Sequence, residues 1–269
     1  MRKGVRYGLL IIGAVVFAYP FLWMIFSTFK PDGEIGGTQL LPEIWTIQNY
    51  IHVFERIPIE KGFLNSLVVT SAVTLSVILF GSVTGYALSR LRWKGRELLF
   101  SICLLTMMIP FQLTLIPTYI LIVKLGLTDS LAGLIIPTMV TALSVLLFRQ
   151  SFLSIPQDLI DAARLDGCSE LGILFRVVLP ISKPAVITVG ILTFVANWNE
   201  VLWPLIIIRE QELMTMPQMV ALFAVGGGSD ASTGAQLASA LLLALPVIIA
   251  YFLFQKRFIQ SMASSGLKS

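Results

Sequence analysis

The chain has 269 residues, 56% of them hydrophobic and 13% charged, with a net charge of +4 at neutral pH, and its mean hydropathy is +0.86. That is more apolar surface than one water-soluble core can hide, so the composition excludes a soluble globular domain and points to an integral membrane protein. The pI near 9.2 does not imply a nucleic-acid partner, because the basic residues flank apolar runs, where they record membrane topology.

A hydrocarbon layer about 30 Å thick takes roughly 20 apolar residues per helix, and about six stretches qualify: near 7–27, 62–88, 98–123, 130–149, 184–208 and 236–255. The alternating ten-residue strands of a membrane barrel are absent, so the expected fold is all-α, a polytopic membrane protein forming a single transmembrane domain over 1–269. The first stretch, MRKGVRYGLLIIGAVVFAYPFLWMIF, has the basic start of a secretory leader. Its apolar part is too long for one and no small-residue cleavage site precedes Lys30, so it is read as a span.

In the following loop, 28–61, lies the single histidine, His52. With no Cys pair or carboxylate cluster near it, no metal site and no Ser-His-Asp arrangement is expected, and no catalytic residue is assigned. GSVTG at 81–85 spaces small residues four apart, the pattern that lets two membrane helices approach closely. Pro110 and Pro117 are expected to kink the third span. Cys103 falls in a span and Cys168 in a polar block, which argues against a disulfide. GGGSD at 226–230 is not followed by Lys-Ser or Lys-Thr; it reads as a flexible connector at the outer surface, not a nucleotide cradle.

Most of the 19 Lys and Arg fall on one side: near both termini, at Arg90 to Arg96, and from Arg149 through Lys183. Cytoplasmic flanks retain positive charge, so both termini and the block at 161–180 are expected in the cytoplasm.

That block, DAARLDGCSELGILFRVVLP, is the most polar part of the chain. Pro156 suits a first helical turn, Asp158 the positive end of a helix, and Gly167 a left-handed terminator, so a short helix is expected over about 156–166. Ser169 is an N-cap for a second helix that runs to about Val178 before Pro180 stops it. Leu159, Ala162, Ala163 and Arg164 recur at spacings of three and four, a narrow small-residue stripe beside charged groups. Such a helix either docks a partner or lies on its own bundle.

Further on, Glu200 is the one charged residue well inside a span. At helical spacing Asn197, Glu200, Val201 and Pro204 share a face, with Trp198 and Asn199 nearby, and a carboxylate at that depth should face protein or water. Amides, carboxylate and aromatic surface suit a polyhydroxylated solute; the same groups could equally hydrogen-bond neighbouring helices. One carboxylate does not supply the paired groups of an intramembrane enzyme, so an enzyme is not the expectation.

The string DAARLDG followed by ILFRVVLPISKP resembles the EAA loop of bacterial ABC importer permease subunits, with Asp161 where Glu is usual and Cys168 where Ala is usual. TIQNYIHVF (46–54), FLNSLVVT (63–70), GYALSRLRWKGR (85–96), MMIPFQLTLIPTY (107–119), NWNEVLWPL (197–205) and the tail FLFQKRFIQSMASSGLKS are similar to the carbohydrate-uptake branch, relatives of the maltose permease subunit. The tail departs from that branch, reading Ser264, Ser265, Gly266, Leu267, Lys268 where Gly-Ala-Val-Lys-Gly is common.

The resemblance implies an ABC type I importer fold in the bacterial inner membrane and a coupling loop at 156–178. Asp161, Ala162, Ala163, Arg164, Leu165, Asp166 and Gly167 would contact a cytoplasmic ATPase; Asn197, Trp198, Asn199 and Glu200 would border the translocation pathway. It also implies two ATPase subunits that bind ATP and Mg, no cofactor in this chain, a second homologous permease subunit, an extracytoplasmic solute-binding protein and surrounding lipid. The expected solute is a sugar or oligosaccharide; the alternative is a non-sugar solute such as a phosphorylated polyol.

Overall fold

A computed structural model describes residues 2–37, 39–226 and 232–266. It is helical, with no strand among the described residues. Helix α1 spans Arg2–Ser27, and α2, Gln48–Arg56, is a short amphipathic helix that buries Asn49 and Val53. Asn49 holds the preceding loop in place, its amide nitrogen donating to the carbonyls of Thr28 (2.9 Å) and Lys30 (2.8 Å).

Helix α3, Ile59–Ser89, is the axis of the molecule. It packs against α7, Ala142–Leu153, and α10, Lys183–Trp198, more extensively than any other helices pack on each other. The glycines of GSVTG explain how. A Cβ on Gly81 would lie 2.5 Å from Ser144 Oγ, and one on Gly85 would lie 2.7 Å from Phe148 Cβ. Only hydrogen side chains let α3 and α7 come this close, as the small-residue spacing implied. Val69, Val73, Val77, Phe148, Phe152 and Val189 fill the seam.

Two helices are long and apolar enough to cross a membrane unbroken, Arg6–Ser27 and Ile59–Ser89, and three further pairs would each qualify as one bent span. The expected third span is broken: α4, Arg96–Thr106, meets α5, Phe111–Lys124, at 101°. Pro110 does more than kink it. Proline lacks an N–H and disfavours helical torsions in the residue before it, so the chain leaves the helix at Met107 and Pro110 becomes the N-cap of α5. Pro117, by contrast, sits inside α5. The expected fourth span is the second such pair: α6, Leu131–Ile135, extended by a 3-10 turn over Ile136–Thr138, and α7, bent by 44°.

The expected fifth span also ends early. Helix α10 stops at Trp198 and a six-residue helix, α11, follows at Leu202–Ile207. Pro204 cannot donate to the Glu200 carbonyl, so backbone continuity is lost here; the Asn197 and Asn199 side chains bond back to the carbonyls of Thr193 (3.0 Å) and Val195 (2.8 Å). A helix absent from the expected spans, α12 at Met216–Gly226, is buried against α3 at Met216, Pro217 and Met219. The last helix, α13, covers Thr233–Gly266. Gly226 ends α12; the rest of the expected connector at 226–230, and Leu267 and Lys268 of the tail, lie outside the described residues.

Candidate functional site

The polar block forms the short helix expected of it. Helix α8 runs Gln157–Leu165 with Pro156 as N-cap and Asp158 in its first turn. Gly167 has φ +79°, the Gly167 N–H donates to Arg164 O and the Cys168 N–H to Ala163 O, both 3.0 Å. These two bonds make a Schellman terminus, in which the residue after the glycine packs back on the helix. Cys168 does so, against the same core as Ala163, which accounts for an apolar thiol in place of alanine. Ser169 caps the next helix by accepting from Gly172 N–H at 3.2 Å.

That next helix differs from expectation. After α9, Glu170–Ile173, the chain passes through a π-helical turn, Leu174–Val178, and continues over Leu179–Ile181. Pro180 does not stop it: the wider π turn relieves the clash a proline ring makes with the carbonyl four residues back. The break comes at Ser182, where the segment turns by 86° into α10.

The docking stripe is also redrawn. Ala162, Ala163 and Arg164 are successive residues about 100° apart around the axis, too far round to share one face. Ala163 turns inward with Ile160 into the main core. Facing outward are Leu159, Asp161, Ala162, Leu165 and Asp166, and Leu165 is 90% exposed. Arg164 turns toward Glu170: its Nε donates to Oε1 at 2.8 Å and its Nη1 to Asp161 Oδ1 at 3.1 Å.

These bonds belong to a closed ring. Tyr86 Oη donates to Glu170 Oε2 at 2.6 Å, Gln157 Nε2 to Asp161 Oδ1 at 3.0 Å, and Arg90 Nη1 to Gln157 Oε1 at 2.8 Å. Arg90 also reaches the carbonyls of Phe152 and Ile155. Tyr86 and Arg90 lie one turn apart at the end of α3, so α8 is tied at both ends to the molecule's axis. The Arg164 guanidinium, assisted by Tyr86, holds the Glu170 carboxyl below the usual carboxylate range against the opposing effect of burial. The sequence marks Arg90 and Glu170 only as charges of the cytoplasmic flank and of the polar block and gives Tyr86 no role; nothing in their spacing reveals that they meet.

The second candidate is a cavity of about 320 Å³ between α3, α5, the α6–α7 bend and the α10–α11 break. Of the expected face it brings Asn197, Glu200 and Pro204 together but not Val201, and it does so through the broken backbone and not along one helical face. Trp198 is not among them: it is fully buried on the other side of α10, its Nε1–H donating to Leu243 O at 3.1 Å. Asn199 is exposed. The aromatic wall is supplied instead by Trp203, which meets Phe111 edge-on at 6.2 Å and anchors its Nε1–H to Gly133 O at 3.2 Å. Glu200 Oε1 accepts from the Trp203 N–H at 3.1 Å, so this carboxylate also caps the broken helix.

Seven hydroxyl-bearing residues share the remaining lining with apolar side chains. Ser66 and Thr70 come from α3, Thr114 and Thr118 from α5, Thr138 and Thr141 from the α6–α7 bend. Thr215, just before α12, completes the wall. Among the described residues the lining holds the Glu200 carboxylate and no lysine or arginine. Spread over six segments, these residues leave no local signature in the sequence beyond Asn197 and Glu200.

A broken-helix bundle around one long axis, with a tethered polar helix at one end and a cavity within, is an architecture that membrane transport proteins use. Residues 77–264 match the model of one family in particular, the binding-protein-dependent transport system inner membrane component, and the chain belongs to that family. The arabinooligosaccharides transport system permease protein AraQ of Bacillus subtilis is 35% identical over 260 residues, covering 95% of this chain and 92% of AraQ. The diacetylchitobiose uptake system permease protein NgcG of Streptomyces coelicolor is 31% identical, covering 98% and 88%. A chain in the crystal structure of a bacterial ABC transporter that imports the acidic polysaccharide alginate superposes with a TM-score of 0.81 at 26% identity, over 94% of this chain and 95% of that one.

Proposed function

We propose that this chain is the transmembrane permease subunit of an ATP-driven importer for a sugar or oligosaccharide. It would form half of the pathway beside a second, homologous permease. Two cytoplasmic ATPase subunits would bind ATP and Mg, and an extracytoplasmic binding protein would deliver solute. The positive-charge distribution supports both termini and the 156–178 block in the cytoplasm.

The observation that carries this reading is the pairing of an outward face with an inward tether on one short helix. Leu159, Ala162 and Leu165 form an exposed apolar strip flanked by Asp161 and Asp166, a surface suited to a groove on a partner. Behind it, the hydrogen-bonded ring and the buried Ile160 and Ala163 fix α8 to α3. Closure of the ATPases on ATP would displace α8, and the attached helices would rock to switch the pathway between inward-facing and outward-facing. A sugar fits the cavity better than a phosphorylated polyol, because the lining offers hydroxyls and one carboxylate but no cation.

The test is reconstitution of the four-part complex in proteoliposomes. ATP-dependent uptake of a neutral oligosaccharide, stimulated by loaded binding protein, is expected, and the isolated chain should hydrolyse no ATP. Replacing Ala162 by Trp on the exposed strip should remove the ATPase subunits from the purified complex. ATP turnover by the isolated chain, or normal ATPase co-purification with Ala162→Trp, would overturn the reading.

A further inference from the structure

We propose that the cavity holds one uncharged sugar ring during transit, and that the Thr215 hydroxyl donates a hydrogen bond to it. The proposal rests on the importer reading and adds a solute site within this chain.

The starting observation is an orphan. Thr215 is 4% exposed, its Oγ1 is closed to solvent and has no hydrogen-bond partner, and the residue lines the cavity, so the hydroxyl meets a solute by turning about the Cα–Cβ bond toward that space. Burying an unpaired hydroxyl is unfavourable, and buried polar groups nearly always find partners. Other threonines of this lining do: Thr114, Thr118 and Thr138 donate to the carbonyls of Phe111, Thr114 and Leu134 in their own helices. Thr215 stands at the N-cap position of α12, its carbonyl accepting from Met219 N–H at 3.0 Å. A capping hydroxyl there would normally take the N–H of the second or third helical residue. The second is Pro217, which has none, so the sequence Thr-Met-Pro removes one of the two usual partners.

Across the cavity the unused valences are acceptors. The Asn197 amide nitrogen is committed to Thr193 O, which leaves the carbonyl oxygen of this lining residue as its unused valence. Glu200 Oε1 is held by the Trp203 N–H, and Oε2 has no partner among the described residues. A ring carrying several hydroxyls can donate to these acceptors while accepting from Thr215, and its C–H face can lie on the exposed Phe111 ring. An anion would meet Glu200 with no cation to balance it. At about 320 Å³ the space lies at the lower end of ligand pockets, roughly 300–1,000 Å³, and suits one sugar unit of a passing chain.

Thr215→Val keeps the shape and deletes the hydroxyl, and it separates the proposal from a structural role by sign. Removing a buried, unpaired hydroxyl should leave the Tm of the assembled complex unchanged or raised. Loss of a solute contact should weaken uptake. The probes are a panel of neutral disaccharides, arabinobiose and diacetylchitobiose included, with glycerol 3-phosphate as the anionic comparison. For the disaccharide carried by the wild-type complex, about a tenfold rise in uptake KM is expected with no fall in Tm. Thr215→Ser should restore KM. Unchanged KM in Thr215→Val would overturn the site, since the hydroxyl then serves only water or nothing; so would a Thr215→Ser variant as impaired as Thr215→Val. ATP-driven uptake of glycerol 3-phosphate alone would overturn the neutral-sugar assignment while leaving the importer intact, whereas failure of the wild-type complex to couple ATP to any uptake would remove the reading beneath it.

Discussion

The tethered block and the cavity use the same few polar residue types in opposite ways. Around α8, Tyr86, Arg90, Gln157, Asp161, Arg164 and Glu170 spend their hydrogen bonds on one another, and between the exposed carboxylates the outer face is apolar: Leu159, Ala162, Leu165. Around the cavity, Thr215 and one oxygen of Glu200 are left without partners. On the proposed reading, a surface that transmits force would be stiffened from within and offer shape outward, and one that binds and releases a solute would keep a few valences unspent.

The two regions also use glycine differently, which gives the largest expected effect. Gly133, beside the cavity, is required by space: an added Cβ would collide with the backbone oxygen of Leu127, and the Gly133 carbonyl anchors Trp203. Gly133→Ala should cost about 3 kcal/mol or more, because the colliding atom is backbone and cannot swing away. The expected readout is a lower Tm for the complex and lost uptake with any ATPase contact preserved. A wild-type Tm would show that the α6 backbone yields.

Gly167, in the block, is required by torsion. Nothing lies within 4 Å of an added Cβ, so only φ +79° opposes a side chain, at about 1–2 kcal/mol. Gly167→Val should lower Tm less than Gly133→Ala does, yet it should uncouple ATP hydrolysis from uptake by disturbing the α8 terminus. Gly167→Asn, which tolerates the left-handed region better, should recover part of the coupling. Equal damage from Asn and Val would place the cause outside the torsion.

How much was readable in advance follows from the same contrast. The start of α8, its left-handed end and the Ser169 cap depend on neighbours within four residues, and the sequence pattern located all three. The close approach of α3 and α7 was likewise written in the spacing of Gly81 and Gly85. The ring needs Tyr86 to meet Glu170, and the cavity needs Thr215 to face Asn197; such contacts between distant segments carry no local period. Errors arose where local rules compete. Pro110 and Pro204 broke spans that hydropathy alone would carry through, and a π turn let Pro180 pass where a regular helix would have ended.

A smaller effect tests the ring electrostatically. Arg164 lowers the Glu170 carboxyl below its ordinary range, so the pairing contributes stability above the unfolded-state value, and that contribution is lost as pH falls through the folded-state value. Both partners are partly exposed, so the contribution is at most about 1 kcal/mol. Wild-type Tm should therefore decline on acidification below roughly pH 5 more steeply than that of Glu170→Gln, which has no charge to lose. At neutral pH Glu170→Gln should raise the ATP hydrolysed per solute imported. Parallel acid profiles for the two proteins would mean the ring contributes no charge-dependent stability.

The smallest effect falls on Asn199, which the sequence grouped with Asn197 and Glu200. Its side chain is exposed and its amide bonds to Val195 O one turn back in α10, away from the cavity lining. Asn199→Ala should change stability by no more than about 0.5 kcal/mol, the usual range for surface positions away from special features, and should leave uptake KM within twofold. Asn197→Ala removes a carbonyl oxygen from the cavity wall and should raise KM severalfold at similar stability. The pair differ by only two positions, yet the end of the helix at Trp198 sends them to different surroundings. Equal KM changes in the two variants would mean that α10 continues through Glu200 in the working transporter and that the cavity closes when the helix re-forms.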